Sequence, residues 1–266
     1  MSKLTIALAQ IHLAVGDAAR NLATVRAKIA QAKSRGADVI VLPELWSTAY
    51  DLEHAATHGS VLDAGMFAAI ANVARENQIA IVGSLLEWRD GKAYNTATLF
   101  DATGGRLGVY RKLHLVPMLD EDKYLAAGGD AEIFDAPFGK FALGVCYDLR
   151  FPELWRHYAL GGAHIAFLPA EWPAQRIQHW CTLVPARAIE NQMFFVGCNR
   201  IGTSKDQTFG GNSMIVSPWG EILAQGDNHD ALIFATIDLN EVDNVRERVP
   251  VFRGRRADIY RKWDAD

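Results

Sequence analysis

Ala37-Asp38-Val39-Ile40-Val41-Leu42-Pro43-Glu44-Leu45-Trp46 has an echo later in the same chain, Ala163-His164-Ile165-Ala166-Phe167-Leu168-Pro169-Ala170-Glu171-Trp172. Each is a short apolar run without polar alternation, the pattern of a strand buried on both faces, and each closes on a proline, an acid and a tryptophan. A helix follows each, then a strand ending in Val82-Gly83 or Val196-Gly197, then an asparagine, Asn95 or Asn212, opening a hairpin. The order strand, helix, strand, hairpin thus occurs twice. Chance likeness among short apolar segments is the competing account, since few positions are identical. Taken as a true repeat, it predicts an α/β fold of two similar layers related by a pseudo-two-fold axis. Two sheets would pack on each other, with helices covering both outer faces.

Outward from these two segments, strands are expected at 4–10, 79–84, 94–100, 107–111, 141–146, 193–198, 213–217, 221–225 and 231–237, in addition to 38–43 and 164–169. Helices are expected over 20–35, where Leu22, Val25, Ile29 and Ala32 share a face and Gly36 supplies the stop, over 63–77, over 173–191, and briefly after Pro152. Turns at Asp101-Ala102-Thr103-Gly104-Gly105 and Ser217-Pro218-Trp219-Gly220 imply hairpins, so the sheets should be mixed rather than wholly parallel. No linker separates the halves. Residues 1–266 therefore read as one domain with a C-terminal tail from about 240.

With 266 residues, 50% of them hydrophobic and only 9 prolines, the chain is long enough and apolar enough to bury a large core. A formal net charge of −4 and the absence of a long basic run weigh against nucleic acid as a partner, and Arg253, Arg255 and Arg256 read as a solvated tail. The apolar start, Leu4 to Gln10, is too short for a membrane span and suits a first buried strand, so no membrane partner is expected. Cys146, Cys181 and Cys198 are odd in number and widely spaced, without a disulfide framework, which fits a reducing cytoplasm.

Three polar residues stand where a buried strand runs out: Glu44, Lys112 after Leu107–Arg111, and Cys146 after Phe141–Val145. Singly, each has a bland reading: a helix-entry acid, a solvated lysine, a small core residue. Together they fit one chemistry, because strand ends in αβ architectures converge on a cleft. A thiol with its ordinary pKa of about 8.5 is mostly protonated at pH 7. A carboxylate can accept its proton, and an ammonium can stabilise first the thiolate and then the oxyanion of a tetrahedral intermediate.

Val41-Leu42-Pro43-Glu44, Tyr110-Arg111-Lys112-Leu113-His114-Leu115 and Gly144-Val145-Cys146-Tyr147-Asp148-Leu149-Arg150-Phe151-Pro152-Glu153 resemble the three signature segments of the nitrilase superfamily of carbon–nitrogen hydrolases, and Ala186–Gln192 is similar to that family's helix. The resemblance runs in order from residue 4 to about 240. It implies a four-layer αββα sandwich, homodimers or larger assemblies, and no metal or organic cofactor. It further implies Glu44 as general base, Lys112 as stabiliser of thiolate and oxyanion, Cys146 as nucleophile, and the backbone N–H of Tyr147 as the second oxyanion donor. A second glutamate follows the lysine in many members; within Leu119–Tyr124 that is Glu121, for which an acidic solvated loop is the bland alternative. Tyr147-Asp148 after the nucleophile looks like the amidase branches, and Ala170-Glu171-Trp172-Pro173 with His179-Trp180 is most similar to ω-amidases, which take 2-oxoglutaramate. Deaminated-glutathione amidases and N-carbamoyl amide hydrolases are close rivals.

A small-molecule amide is thus the expected partner. Its carboxylate would need a cationic pocket, for which Arg150, Arg176, Arg187 and Arg200 are candidates, each equally able to brace the fold. Trp172 either lines that pocket or caps the core. Other chemistries fit less well. Cys146 could pair with His114 or His164, but eight histidines make such a coincidence common. His54 and His58 stand at helical spacing without an expected third ligand, no HExxH occurs, and a serine hydrolase would lack its GxSxG elbow. A non-catalytic binding module of the same fold is the reading from a different class, and retention of all three reactive residue types argues against it.

Overall fold

The computed structural model describes residues 3–204 and 206–263. The first half runs β1 (Lys3–Gln10), α1 (Ala18–Ser34), β2 (Val39–Val41), α2 (Ala55–His58), α3 (Gly65–Asn77), β3 (Ala80–Arg89), β4 (Lys92–Phe100), β5 (Arg106–Arg111) and α4 (Glu121–Tyr124). The second runs β6 (Phe134–Ala136), β7 (Gly139–Leu143), α5 (Pro152–Leu160), β8 (Ile165–Ala170), α6 (Ile177–Asn191), β9 (Phe194–Asn199), β10 (Ile201–Ser204), β11 (Gln207–Gly210), β12 (Met214–Val216) and β13 (Ile222–Gln225). Strand β14 (Ala231–Asp238) and helices α7 (Asn240–Arg248) and α8 (Ala257–Tyr260) complete the order.

Two six-stranded sheets form, ordered β14-β1-β2-β3-β4-β5 and β13-β12-β9-β8-β7-β6, beside a small β10-β11 hairpin. In each the central three strands are parallel, β1-β2-β3 and β7-β8-β9, and antiparallel strands extend both edges. In order and direction, β14-β1-β2-β3-β4-β5 correspond strand for strand to β6-β7-β8-β9-β12-β13, so the echo between residues 37–46 and 163–172 belongs to an internal repeat of topology. The sheets are mixed because hairpins add the outer strands, as the turns at 101–105 and 217–220 predicted.

The side-chain alternation within β1 and β2 explains why their sequences read as unbroken apolar runs. Leu4, Ile6, Leu8, Val39 and Val41 point into the core shared with Phe167, Val196 and Met214 of the other sheet. Ala7, Ala9, Ile40 and Leu42 point outward under α1 and α3, against Val25, Ile29, Phe67 and Ile70. Both faces are dry, so neither position can be polar. The sheets touch through β1 with β9 and β3 with β8, while α5 and α6 cover the second sheet's outer face.

Two expectations need correction. The strand expected over 141–146 ends at Leu143. Gly144 lies so close to the Trp155 ring that a Cβ would approach it to 2.3 Å, and Cys146 then turns at φ +45° into a 3-10 turn, Cys146–Arg150. Asn95 does open the β4-β5 hairpin, its carbonyl accepting from Lys112 N at 2.9 Å just before the pairing of Thr96 with Arg111. The stretch beyond 240 carries helices α7 and α8 rather than a plain tail, with Val242 and Val245 buried. No described helix is long and apolar enough to cross a membrane.

Candidate active site

The carboxyl ends of the parallel strands meet at the sheet–sheet seam, and there the chain leaves its regular elements. Glu44 stands three residues beyond β2, Cys146 three beyond β7, Lys112 next after β5, and Glu171 next after β8. Leu45 and Cys146 both take positive φ, +40° and +45°, a conformation that costs a non-glycine residue on the order of 1–3 kcal/mol and persists only where its surroundings impose it. At Cys146 they do. Asp148 Oδ2 accepts from Val145 N at 2.8 Å and from the Tyr110 hydroxyl at 2.8 Å. Its Oδ1 accepts from His114 N at 3.1 Å and meets His114 Nδ1 at 2.7 Å. One buried carboxylate therefore ties the cysteine turn to the segment carrying Lys112.

Glu44, Lys112 and Glu121 are fully buried and bonded to one another. Lys112 Nζ donates to Glu44 Oε1 at 2.8 Å and to Glu121 Oε1 at 2.7 Å. The Tyr50 hydroxyl sits against the same two oxygens, at 3.0 and 2.6 Å. Asn95 Nδ2 adds a donor to Glu44 Oε1 at 2.8 Å, and the backbone N–H of Glu171 donates to Glu44 Oε2 at 2.9 Å. Glu121 Oε2 accepts from Val116 N at 2.8 Å. Since an ammonium has three donors and two are committed to carboxylates, Lys112 keeps one N–H for a third oxygen.

The Cys146 thiol lies in the fields of Glu44, Lys112 and Glu121. Burial, then the Glu44 charge, push its pKa well above the ordinary thiol value, against the pull of Lys112, so the resting group is a thiol. Burial works against the charge on Lys112, but Glu121 and then Glu44 overcome it and hold the ammonium above the usual lysine range. Burial also raises the Glu121 carboxyl, with Lys112 opposing. Glu171 is pushed up to about 7, chiefly by burial and despite its ion pair with Arg200 at 2.8 Å.

Cys146 opens on a cavity of about 200 Å³. Tyr147, Glu171, Trp172, Arg150 and Arg176 line it together with Val116 and Met118. A larger cavity of about 470 Å³, lined in part by Tyr50, Glu53, Asp120 and Phe209, shares the Met118-Leu119 wall. Arg150 stacks over the Trp172 ring at 4.5 Å. Burial and the nearby Arg176 charge both oppose its protonation. The other two arginine candidates are structural: Arg187 donates to Leu149 O and pairs with Glu190, and Arg200 binds Glu171, Leu13 O and Ser204. Trp172 both lines the cavity and packs inward, its indole N–H donating to Arg176 O at 2.8 Å.

Glu44, Lys112, Cys146 and Glu121, far apart in sequence, are thus gathered together, with Tyr147 and Trp172 at the adjoining cavity. Glu121 is buried rather than a solvated loop acid. Among the described residues the largest influences on the Cys146 thiol are burial, Glu44, Lys112 and Glu121 rather than a histidine: His114 is engaged by Asp148 and stacked on Phe151 at 3.6 Å, and His164 lies at the opposite end of the parallel strands. The expectation that His54 and His58 lack a third neighbour is corrected by Asp51, whose oxygens lie 2.9 Å from His54 Nδ1 and 2.8 Å from His58 Nε2. Sequence reasoning missed Tyr50, Asn95 and Asp148 and gave Glu171 no role. Only Asn95 and Glu171 left a signal: Asn95 was set against Asn212 in the repeat, and Glu171 is the acid before Trp172, one place beyond the position that Glu44 fills in the first segment.

The Carbon-nitrogen hydrolase family model matches residues 5–247. A 2-oxoglutaramate amidase of Bacillus subtilis (strain 168) is 38% identical over 259 residues, 97% of this chain and 100% of that protein. An ω-amidase of Homo sapiens is 30% identical, with 98% of each chain covered. Among solved structures, an amidase from Nesterenkonia sp. AN1 superposes with a TM-score of 0.87 at 26% identity, over 98% of this chain and 96% of that one. In that structure the acetamide moiety of fluoroacetamide is covalently attached to the active-site cysteine.

Proposed function

Because the chain belongs to the carbon–nitrogen hydrolase family, we propose that it hydrolyses the terminal amide of a small dicarboxylic or keto acid, such as 2-oxoglutaramate, to the acid and ammonia. The observation that carries this is the buried Glu44–Lys112–Glu121 cluster against the Cys146 thiol, at the foot of a cavity holding two guanidiniums. Neither Arg150 nor Arg176 has a carboxylate partner among the described residues, so a substrate carboxylate would supply the missing counter-charge. At about 200 Å³ the cavity lies below the ~300–1,000 Å³ of drug-sized ligand sites, which favours a short acid amide.

In this reading the sulfur attacks the amide carbon while Glu44 takes the thiol proton. The raised thiol pKa makes that transfer part of the attack rather than a prior ionisation. The uncommitted N–H of Lys112 and the backbone N–H of Tyr147, in the first turn of the 3-10 segment where helical N–H groups lack internal partners, receive the oxyanion. Glu44 returns the proton to the departing nitrogen, the C–N bond breaks, and ammonia leaves a Cys146 thioester. Glu44 then deprotonates water, whose oxygen attacks the thioester carbon, and the acid and thiol are released. Glu121, bonded to Lys112 and Tyr50, holds the ammonium in place. The chain would work as a single domain in the cytoplasm, as a homodimer or larger assembly.

The test is ammonia release from 2-oxoglutaramate, deaminated glutathione, N-carbamoyl amides and simple nitriles, with Cys146→Ala as the paired variant. The keto-acid amide should be turned over fastest, and the variant should be folded and inactive. Turnover retained by Cys146→Ala would remove the nucleophile, and a wild-type protein inactive on every amide would favour the binding module.

A further inference from the structure

Glu171 is fully buried, and its two carboxylate oxygens differ sharply. Oε2 accepts from Arg200 Nη1 at 2.8 Å, whereas Oε1 has no hydrogen-bond partner. A buried, unpartnered acceptor costs about 1–3 kcal/mol and is kept where something else satisfies it. The residue lines the cavity that Cys146 opens on, and its own backbone N–H is bonded to Glu44 Oε2. The residue that carries the orphan oxygen is therefore bonded, through its backbone, to the carboxylate that must hand a proton to the departing nitrogen. Arg200 cannot turn to satisfy it, being held on its other side by Leu13 O and Ser204 Oγ at 2.8 and 2.9 Å.

We propose that Glu171 is a specificity-determining residue whose free oxygen accepts a hydrogen bond from the amide nitrogen of the substrate, so that the site selects primary amides over esters of the same acid. A primary amide carries two N–H groups. One faces Glu44, the group that will protonate the nitrogen, and the second needs an acceptor of its own. An ester presents an oxygen lone pair there instead, and two acceptors repel. A site built to bind an N–H in this way rejects the analogue lacking it far more strongly than a merely apolar pocket does. The same contact follows the nitrogen through departure: as it gains its proton from Glu44, the Glu171 oxygen holds the ammonia formed. No bond to Glu171 is made or broken.

The inference rests on the amidase reading, and its test separates the two. The ratio of kcat/KM for the ω-amide to kcat/KM for the ω-methyl ester of the same acid is measured in wild type and in Glu171→Gln, at a pH well above the value of about 7 to which Glu171 is pushed, so that its free oxygen is an acceptor. In the variant Arg200 still needs an acceptor, so the glutamine oxygen faces Arg200 and its NH2 faces the cavity, turning an acceptor into a donor. The amide-to-ester ratio should fall by about a hundredfold, whether through amide loss, ester gain or both. A ratio within threefold of wild type, with amide turnover merely reduced in parallel, assigns Glu171 to support of Glu44 alone and overturns the inference. Should Glu171→Gln fail to fold, Glu171→Met with Arg200→Met removes acceptor and counter-charge together, and its ratio is read by the same limits. A wild-type protein inactive on every amide would instead sink the amidase reading itself.

Discussion

At the scale of single residues, the site joins two carboxylates, one ammonium and one thiol out of water. Four groups in so small a volume are stable only because each charge is paired: Lys112 bridges Glu44 and Glu121, and Tyr50 reaches both acids. Replacing Lys112 with Met should lower kcat/KM by at least about a hundredfold, the cost of losing one oxyanion donor. The variant also leaves two carboxylates facing each other unpaired, so circular dichroism must accompany the kinetics. A folded Lys112→Met protein with near-wild-type turnover would exclude the role given to the ammonium. The reacting residue types were legible in the sequence because each interrupts an apolar strand at its end. Their partners were not. Tyr50 and Asn95 are ordinary residues in their own segments, and what they do depends on side chains brought from up to 71 positions away.

At the scale of elements, the strands that carry the site were readable because burial on both faces forces continuous apolar runs. Those that escaped are the short β6 and the half-buried β10-β11 hairpin, where Ile201-Gly202-Thr203-Ser204 has neither a long apolar run nor an emphatic turn signal. The end of β7 was misread for a related reason. Val145 and Cys146 are as apolar as the strand before them, and only tertiary contacts turn the chain at Gly144. The chief contact is Asp148, whose oxygens meet only donors from the chain: two backbone N–H groups, one hydroxyl and the His114 ring. Asp148→Asn places an NH2 against at least one of these donors in a dry site. Stability should fall by roughly 1–3 kcal/mol in chemical denaturation, and kcat should fall with it, because the turn that presents Cys146 loosens. Unchanged stability would show that Trp155 and Gly144 hold the turn without that carboxylate.

At the scale of the molecule, the two-fold repeat places corresponding strand ends of both sheets at one seam, which is why Glu44, after β2, accepts from the backbone N–H of Glu171, one place beyond its counterpart Ala170 after β8. One half supplies the proposed base and the other a backbone N–H that holds it, so the arrangement needs both sheets. The proposed homodimer extends this argument outward. Ile189 of α6, Trp219 and Val249 are 53%, 45% and 40% exposed. They are also continuous. A Cβ at Gly220 would come within 2.4 Å of Ile189, Arg248 lies over the Trp219 ring at 5.6 Å, and Gln192 Nε2 donates to Val249 O at 2.7 Å. An apolar patch braced on one rigid helix is a surface that a second copy can cover without reordering it, and a stable interface needs about 800 Å² from each partner. Trp219→Asp puts a charge at the middle of that patch while leaving the interior untouched. Light scattering should report two chains per particle for the wild type and one for the variant, with the wild-type fold retained by circular dichroism. A variant that keeps the wild-type mass would move the interface to another face of the sandwich, and a wild type that elutes as a single chain would remove the dimer.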